Sequence, residues 1–462
     1  MTMLYDTVVV LLGCCGCIAY GQFAIEKPFK LSLTISAKLS AIEVSWYNLR
    51  TPTNGYIILT DEEPQAPYRK QRPTDIEQQP HEIYTNEDNS THKYYADNDN
   101  DDIRWTYGRA NKPAVYVIKP DEASGWITTN IIFDNKHLER LRASTRCYGY
   151  WATYVDNSSN PVITTCIRTY ATWMNDHMDL IKRFKFRDLF ILGSHDSGSY
   201  RANFNSSRNE TLVTKYALTQ SDDITSQLMH GIRYLDIRVG YYRATEPQFW
   251  VNHGISRQQP LIKVLRLVRD FVLETNEIVI FDVQEFPVGF GKSMDVHRKL
   301  VRYIQNELSE LLVDPSSGWE VKLEQIWQHR RNIILAYDHI EIVNEFPSLV
   351  FQSVQQRWGN CQNLPDLKRF LSPSGHSFTL FSSRPFADMA ELTPTTWDVL
   401  TDKWGGLRKV ADQSNRHISK WYADEWFMSA NIVAVDFYRG TNLMETAIYS
   451  NLKKDLLRRM KK

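Results

Sequence analysis

The chain has 462 residues, of which 42% are hydrophobic and 23% charged, a globular composition too long for one ordinary domain. Its formal net charge is zero, which excludes a global basic field that would draw it to nucleic acid or an anionic membrane. Local basic stretches, Lys182–Arg187 and the tail from residue 456 to 462, read as solvated helix faces.

The apolar run from Thr7 to Ala19 is too short to span a bilayer. The small-x-small pattern Ala19-Tyr-Gly21 follows it, so residues 1–21 are expected to be a signal peptide cleaved before Gln22, and the protein secreted. An uncleaved anchor is the alternative, because Asp6 is present and Lys and Arg are absent from the leading segment. Sequons at Asn89, Asn157, Asn205 and Asn209, all in polar contexts, fit a secretory route as glycosylation sites. Once the leader is removed, Cys147, Cys166 and Cys361 remain. Cys147 and Cys166 flank two β-rich runs joined by the turn at residues 156–160, a hairpin closed by a disulfide, which leaves Cys361 as a buried thiol.

Residues 22–175 carry an all-β pattern. Leu31–Ser36 and Ala41–Trp46 alternate, and Gly55–Thr60 follows a Pro/Asn/Gly turn. Ala114–Ile118, Gly125–Thr129 and the Cys147–Cys166 hairpin complete a small sandwich, with the acidic stretch Glu62–Asp102 as a long loop. Nothing in this segment carries obvious chemistry, so it reads as a structural or interaction module with an unknown partner.

From residue 176 to 455 apolar runs alternate with helical patterns. Strands are expected at Asp188–Leu192, Tyr234–Arg238, Phe249–Val251, Glu277–Gln284, Asn332–Tyr337, Ser377–Phe381 and Asn431–Phe437. Helices are expected at Ser221–Met229, Leu261–Leu273 and Ser293–Leu311. Such alternation predicts a TIM-type β/α barrel, and the fold class is α/β, a barrel preceded by an all-β sandwich. Chemistry in that fold gathers at the carboxyl ends of the strands, which would bring His195, Arg238, His253, Gln284, Asp338 and Asp436 onto one rim. Trp319, Trp327, Trp421 and Trp426 are expected in the packing.

The residue types fit metal-free cleavage of a phosphodiester. Such a reaction needs a base for the attacking hydroxyl, an acid for the departing oxygen and a cation for the phosphoryl oxygens. His195 and His253 supply imidazoles, Asp196 and Asp236 carboxylates, and Arg238 a permanent, bidentate cation. Arg238 also shares a strand face with Asp236, as does Asp282 with Gln284, where barrel support is the simpler reading.

The stretches Leu192–Ser199, Thr219-Gln220 to Gln227, Gly231–Arg238 and Asn252–Gly254 resemble the X domain of phosphatidylinositol-specific phospholipases C, and the overall length and spacing are similar to its X-domain-only branch. Glu277–Phe286, Trp358-Gly-Asn, Asn363–Leu367 and Leu392–Pro394 fit the same branch over residues 180–440. The resemblance implies His195 as general base, His253 as general acid, Asp196 as support for the acid histidine and Asp436 as partner of His195. It places Arg238 where the signalling enzymes carry a calcium ligand and bacterial enzymes carry Arg, which implies no metal, no calcium and no other cofactor. Asp236, Gln284 and Asp338 are expected to line the substrate site. The implied substrate is a phospholipid at a membrane surface, inositol-containing or a glycosylphosphatidylinositol. The alternatives are a metal-dependent glycerophosphodiester- or sphingomyelin-type phosphodiesterase, and a catalytically weak lipid- or protein-binding barrel.

Overall fold

The computed structural model describes residues 30–49, 55–71, 104–133, 143–201, 204, 210–373 and 383–460. The leader, Asn89, Asn205, Asn209 and the Ser377–Phe381 run lie outside the described residues.

Antiparallel strands fill the N-terminal part: β1 (Lys30–Ile35), β2 (Ala41–Tyr47), β3 (Tyr56–Thr60), β4 (Tyr68–Gln71), β5 (Arg104–Tyr107), β6 (Lys112–Pro113), β7 (Tyr116–Ile118), β8 (Gly125–Ile132), β9 (Thr145–Val155) and β10 (Pro161–Tyr170). They form sheets ordered β1-β2-β8, β10-β9-β3-β7 and β4-β5-β6. The period of two along β3 shows why the layers stack. Ile57 and Leu59 join the buried cluster of Leu31, Ile42, Val44 and Trp46, whereas Ile58 turns the other way to Tyr68, Trp105 and Tyr107. Tyr68–Gln71 corrects the expectation of a loop throughout Glu62–Asp102: a polar outer strand needs only one apolar side, and Tyr68 supplies it. Cys147 and Cys166 are disulfide-bonded across the β9–β10 hairpin, Asn157 is exposed in its turn, and Cys361 is a buried thiol.

The remainder builds a curled parallel sheet from β11 (Ile191–Ser194), β12 (Tyr234–Tyr241), β15 (Val279–Val288), β16 (Ile333–Tyr337), β17 (Phe351–Gln352), β18 (Gln355–Arg357), β19 (Phe386–Met389) and β20 (Ile432–Val435). The order is β17-β16-β15-β12-β11-β20-β19-β18. β17 and β18 are successive pieces of one stretch; the first pairs with β16 and the second with β19, so the sheet returns on itself through Ser353-Val354. Side chains satisfy the peptide groups at that interruption. Val354 N donates to Asp282 Oδ2 at 3.1 Å, Val354 O accepts from Gln284 Nε2 at 2.9 Å, and Ser353 O accepts from Arg384 Nε at 3.0 Å.

Phe249–Val251 is not a barrel strand. It belongs to β13 (Phe249–His253), which forms a hairpin with β14 (Ser256–Pro260) and adds antiparallel to the far end of β12. The expected strand at Asp188–Leu192 begins at Ile191, after a short 3-10 turn at Phe186–Asp188. Helices Ile224–Met229, Leu261–Thr275 and Met294–Leu308 fall where expected, and the basic end of the chain continues the helix Leu443–Met460. Trp319, Trp327, Trp421 and Trp426 are buried. One apolar cluster runs from Leu31 of the first sheet to Ala447 of the last helix, so the sandwich and barrel share a core.

At the amino end of the barrel Arg233 and Glu277 form a fully buried pair. Arg233 Nε and Nη2 reach Glu277 Oε2 at 2.9 and 2.7 Å, and its other donors reach the carbonyls of Leu228, Ile232 and Ala171. Glu277 also accepts from the backbone N–H groups of Met174 and Asn175, tying the segment after β10 to the barrel floor. Removing one partner of such a pair strands a charge. Arg233→Met is expected to destabilise the protein by about 3–5 kcal/mol in urea unfolding. Arg233→Met with Glu277→Leu should recover only the part due to the stranded charge, because the N–H groups of Met174 and Asn175 then lose their acceptor.

Candidate active site

Parallel register assembles the site. Ser194 lies opposite Leu235 of β12 and Val435 of β20, so the next residue, His195, emerges between Asp236 and Asp436. Gly193 makes that crowding possible, since a Cβ there would stand 2.6 Å from the Tyr234 ring. β19 keeps step with β20 through Met389 opposite Ala434, which carries Glu391 to the level of Asp436.

The turn after His195 is tightly tied. Asp196 takes a left-handed φ of +38°, its N–H donates to Asp236 Oδ2 at 2.9 Å, and its carbonyl accepts from Thr219 Oγ1 at 2.9 Å. Gln220 Nε2 donates to the carbonyls of His195 and Val435, both at 2.9 Å, pinning the two strand ends together. A buried non-glycine residue in that backbone region is strained, and strain held by such bonds marks a functional turn.

His195 Nδ1 lies 2.8 Å from Asp436 Oδ1, and its Nε2 lies 2.8 Å from Arg238 Nη2. In the neutral ring Nε2 would present its lone pair to Arg238, which only donates, and the proton would sit on Nδ1, facing the carboxylate. Arg238 Nη2 also approaches Asp236 Oδ2 at 3.3 Å, Nη1 approaches Glu285 Oε1 at 3.4 Å, and Nε stands 3.9 Å from Asp196 Oδ2. The His253 ring, on the β13–β14 hairpin, lies 6.3 Å from that of His195, centroid to centroid, with the planes at 87°. Its Nδ1 is 3.1 Å from the carbonyl of Ala217, so Nδ1 is again the anchored donor and Nε2 the atom left for chemistry.

Burial works against protonation of His195, but the Glu391 and Asp436 carboxylates outweigh it and raise its pKa to about 10. Burial lowers His253 to about 4, reinforced by the charges of Arg238 and His195. Burial also raises Asp196 and Glu391 to about 7 and Asp282 to about 8. Burial would raise Asp236 too, but Arg238 and His195 reverse the sign and hold it below the ordinary carboxylate value. These shifts favour a protonated His195 and a neutral His253, so His195 can take a proton only in its neutral form and His253 can give one only once protonated, as beside a phosphoryl anion.

His195, His253, Arg238, Asp236 and Asp436 are brought together. Asp196 is there as well but in another position: its carboxylate faces Arg238, and the carbonyl of Ala217 occupies the supporting place beside His253. Gln284 braces the interrupted strand through Val354 O and Asp282. Asp338 is exposed and its Oδ1 accepts from Ser353 Oγ at 2.8 Å, away from the histidine cluster. Glu391 and Glu285 are additions. Glu391 is 6% exposed with Oε2 unbonded, and the register of β19 with β20 is the signal that locates it. Among the described residues no group of three or more His, Cys, Asp and Glu side chains is placed to hold a metal ion.

No family model matches the chain. It is similar to PI-PLC X domain-containing protein 3 of Mus musculus, 25% identical over 306 residues that cover 61% of this chain and 94% of the relative. PI-PLC X domain-containing protein 1 of Homo sapiens is 25% identical over 316 residues, covering 62% and 94%. Among solved structures, the phosphatidylinositol-specific phospholipase C from Listeria monocytogenes aligns with a TM-score of 0.45 at 18% identity, covering 62% of this chain and 98% of that one. The Staphylococcus aureus enzyme aligns at 0.45 and 15% identity, covering 62% and 97%.

Asp436→Asn keeps the shape at His195 but removes one of the charges that raise it. The His195 titration, followed by imidazole proton NMR on the full chain, is expected to fall from about 10 toward the ordinary 6.5. An unchanged midpoint would detach Asp436 from His195.

Proposed function

We propose that this chain, a relative of the PI-PLC X domain-containing proteins, is a phospholipase C-like phosphodiesterase that cleaves an inositol-containing phospholipid without a metal ion. The observation that carries this reading is the set His195, Arg238 and His253 in one buried cluster, each ring anchored at Nδ1. His195 Nε2 takes the proton of the attacking hydroxyl, which forms the new O–P bond. Arg238, whose buried Nε has no hydrogen-bond partner, donates to a phosphoryl oxygen and stabilises the charge that grows there. His253 gives a proton to the oxygen that leaves. With an inositol 2-hydroxyl as nucleophile the products are diacylglycerol and a cyclic inositol phosphate. Glycosylphosphatidylinositol presents the same reacting atoms.

Exposed apolar side chains on the β13–β14 hairpin and on segments that follow β18 and β19 support a lipid surface as the place of action. Ile255, two residues past His253, is 89% exposed; Trp397, in the short helix Thr396–Leu400 that follows β19, is 70% exposed; Trp358 directly follows β18. The Cys147–Cys166 disulfide and the exposed Asn157 support a secreted protein. Among the described residues no helix is long and apolar enough to cross a membrane.

Release of water-soluble phosphate from phosphatidylinositol vesicles tests the function. His195→Ala and His253→Ala are each expected to lower kcat by about 10²- to 10⁴-fold, with wild-type activity retained in EDTA. Loss in EDTA would favour a metal-dependent phosphodiesterase, and activity surviving both substitutions would remove the assigned site. The double substitution Ile255→Ser with Trp397→Ser is expected to raise the apparent KM on vesicles several-fold and leave the rate on a soluble short-chain phosphatidylinositol unchanged.

A further inference from the structure

The segment that follows Asp436 is held from outside the barrel. Phe437 adopts a left-handed φ of +46°, its N–H donates to Thr219 O at 2.8 Å, and Asn415 Nδ2 donates to the carbonyls of Asp436 and Phe437 at 3.0 and 3.1 Å. The next two residues enter a buried polar network with the N-terminal sheets. Tyr438 OH donates to Asp222 Oδ2 at 2.7 Å and lies 3.1 Å from His230 Nδ1. Arg439 Nη2 donates to Tyr148 OH at 3.2 Å, and its guanidinium stacks 4.7 Å over the Phe133 ring. Tyr148 OH is in turn 2.6 Å from His230 Nε2.

Proton positions in the network are fixed. His230 Nδ1 is 2.7 Å from the carbonyl of Ser226, so it carries the proton, and Nε2 must accept from Tyr148. The Tyr148 hydroxyl therefore donates to His230 and accepts from Arg439. Tyr148 lies on β9 and Phe133 just past β8, whereas His230 and Arg439 belong to the barrel. Two cavities of about 70 and 60 Å³ flank this seam, both lined by Ile35, Tyr438 and Arg439, so apolar packing alone does not hold the turn.

We propose that Tyr148 of the N-terminal sandwich is a positioning residue for the active site, fixing through His230 and Arg439 the turn that aims the Asp436 carboxylate at His195. The inference rests on the phosphodiesterase reading for its kinetic consequence, but the geometry it asserts does not. It makes the sandwich part of the catalytic apparatus. Loss of the Tyr148 hydroxyl removes the group that links His230 to Arg439 and lets residues 437–440 shift. The Asp436–His195 contact then loosens, and His195 loses proton affinity to the remaining groups that face it: Glu391, Arg238, Asp236, Asp196 and His253.

Tyr148→Phe is compared with wild type and with Tyr68→Phe, whose buried hydroxyl bonds to Thr153 within the sandwich. On phosphatidylinositol vesicles Tyr148→Phe is expected to lower kcat about tenfold, less than the ~100-fold that a 1 Å misplacement can cost. KM should stay within about twofold, and the limb of the kcat profile set by His195 should move to lower pH. Tyr68→Phe should match wild type in all three. Wild-type kcat and pH profile in Tyr148→Phe, or an equal loss in Tyr68→Phe, would overturn the proposal. If wild type releases no phosphate from these vesicles, the functional reading fails, and the His195 titration by NMR decides the positioning alone. A lower His195 midpoint in Tyr148→Phe sustains it, and an unchanged one ends it. Should Tyr148→Phe not fold, Arg439→Lys keeps the charge but loses the forked reach to Tyr148, and it is read by the same criteria.

Discussion

The site depends on strand register. Five neighbouring strands, β15, β12, β11, β20 and β19, run parallel and in step, so Asp282, Asp236, His195, Asp436 and Glu391 arrive at one level of the barrel. A slip of one residue on any strand would turn its polar group outward and place an apolar one against the others. Gln220, bridging the carbonyls of His195 and Val435, closes the level where β11 and β20 end.

That arrangement concentrates acid around very few cations. Burial keeps Asp282, Glu391 and Asp196 reluctant to ionise, which leaves Asp236 as the carboxylate that Arg238 most directly holds charged. The guanidinium is correspondingly retained as a cation despite burial, because Asp236, Asp196 and Glu285 surround it. A rigid, permanently charged donor in that position needs no change of protonation to meet an anionic phosphoryl group. In the proposed reaction the proton traffic falls to the imidazoles, one backed by a carboxylate and the other by a carbonyl.

Much of this was readable before the fold was seen. Polar residues following apolar runs identified His195, Arg238 and Asp436, because a buried parallel strand is apolar throughout and announces its end when a charge appears. The same rule failed at Asp338, where the chain turns outward after β16 and the carboxylate reaches Ser353. It also missed Glu391, since β19 has four residues and carries a charged Asp388 in its middle, paired with Arg357 and Tyr422. β17 and β18 gave no strand signal because the stretch is broken at Ser353-Val354, and side chains distant in sequence satisfy the break. Tyr148 was read only as part of a β-rich run; its link to Arg439 spans 291 residues and leaves no local trace.

His253 does not belong to the barrel wall. It rides on a hairpin stitched to the end of β12, outside the curled run of parallel strands that carries His195. The two imidazole rings are thus mounted on separate mechanical parts. Lengthening or retilting the hairpin would change the gap between them without rebuilding the wall. Descent with modification has here an adjustable jaw set against a fixed one.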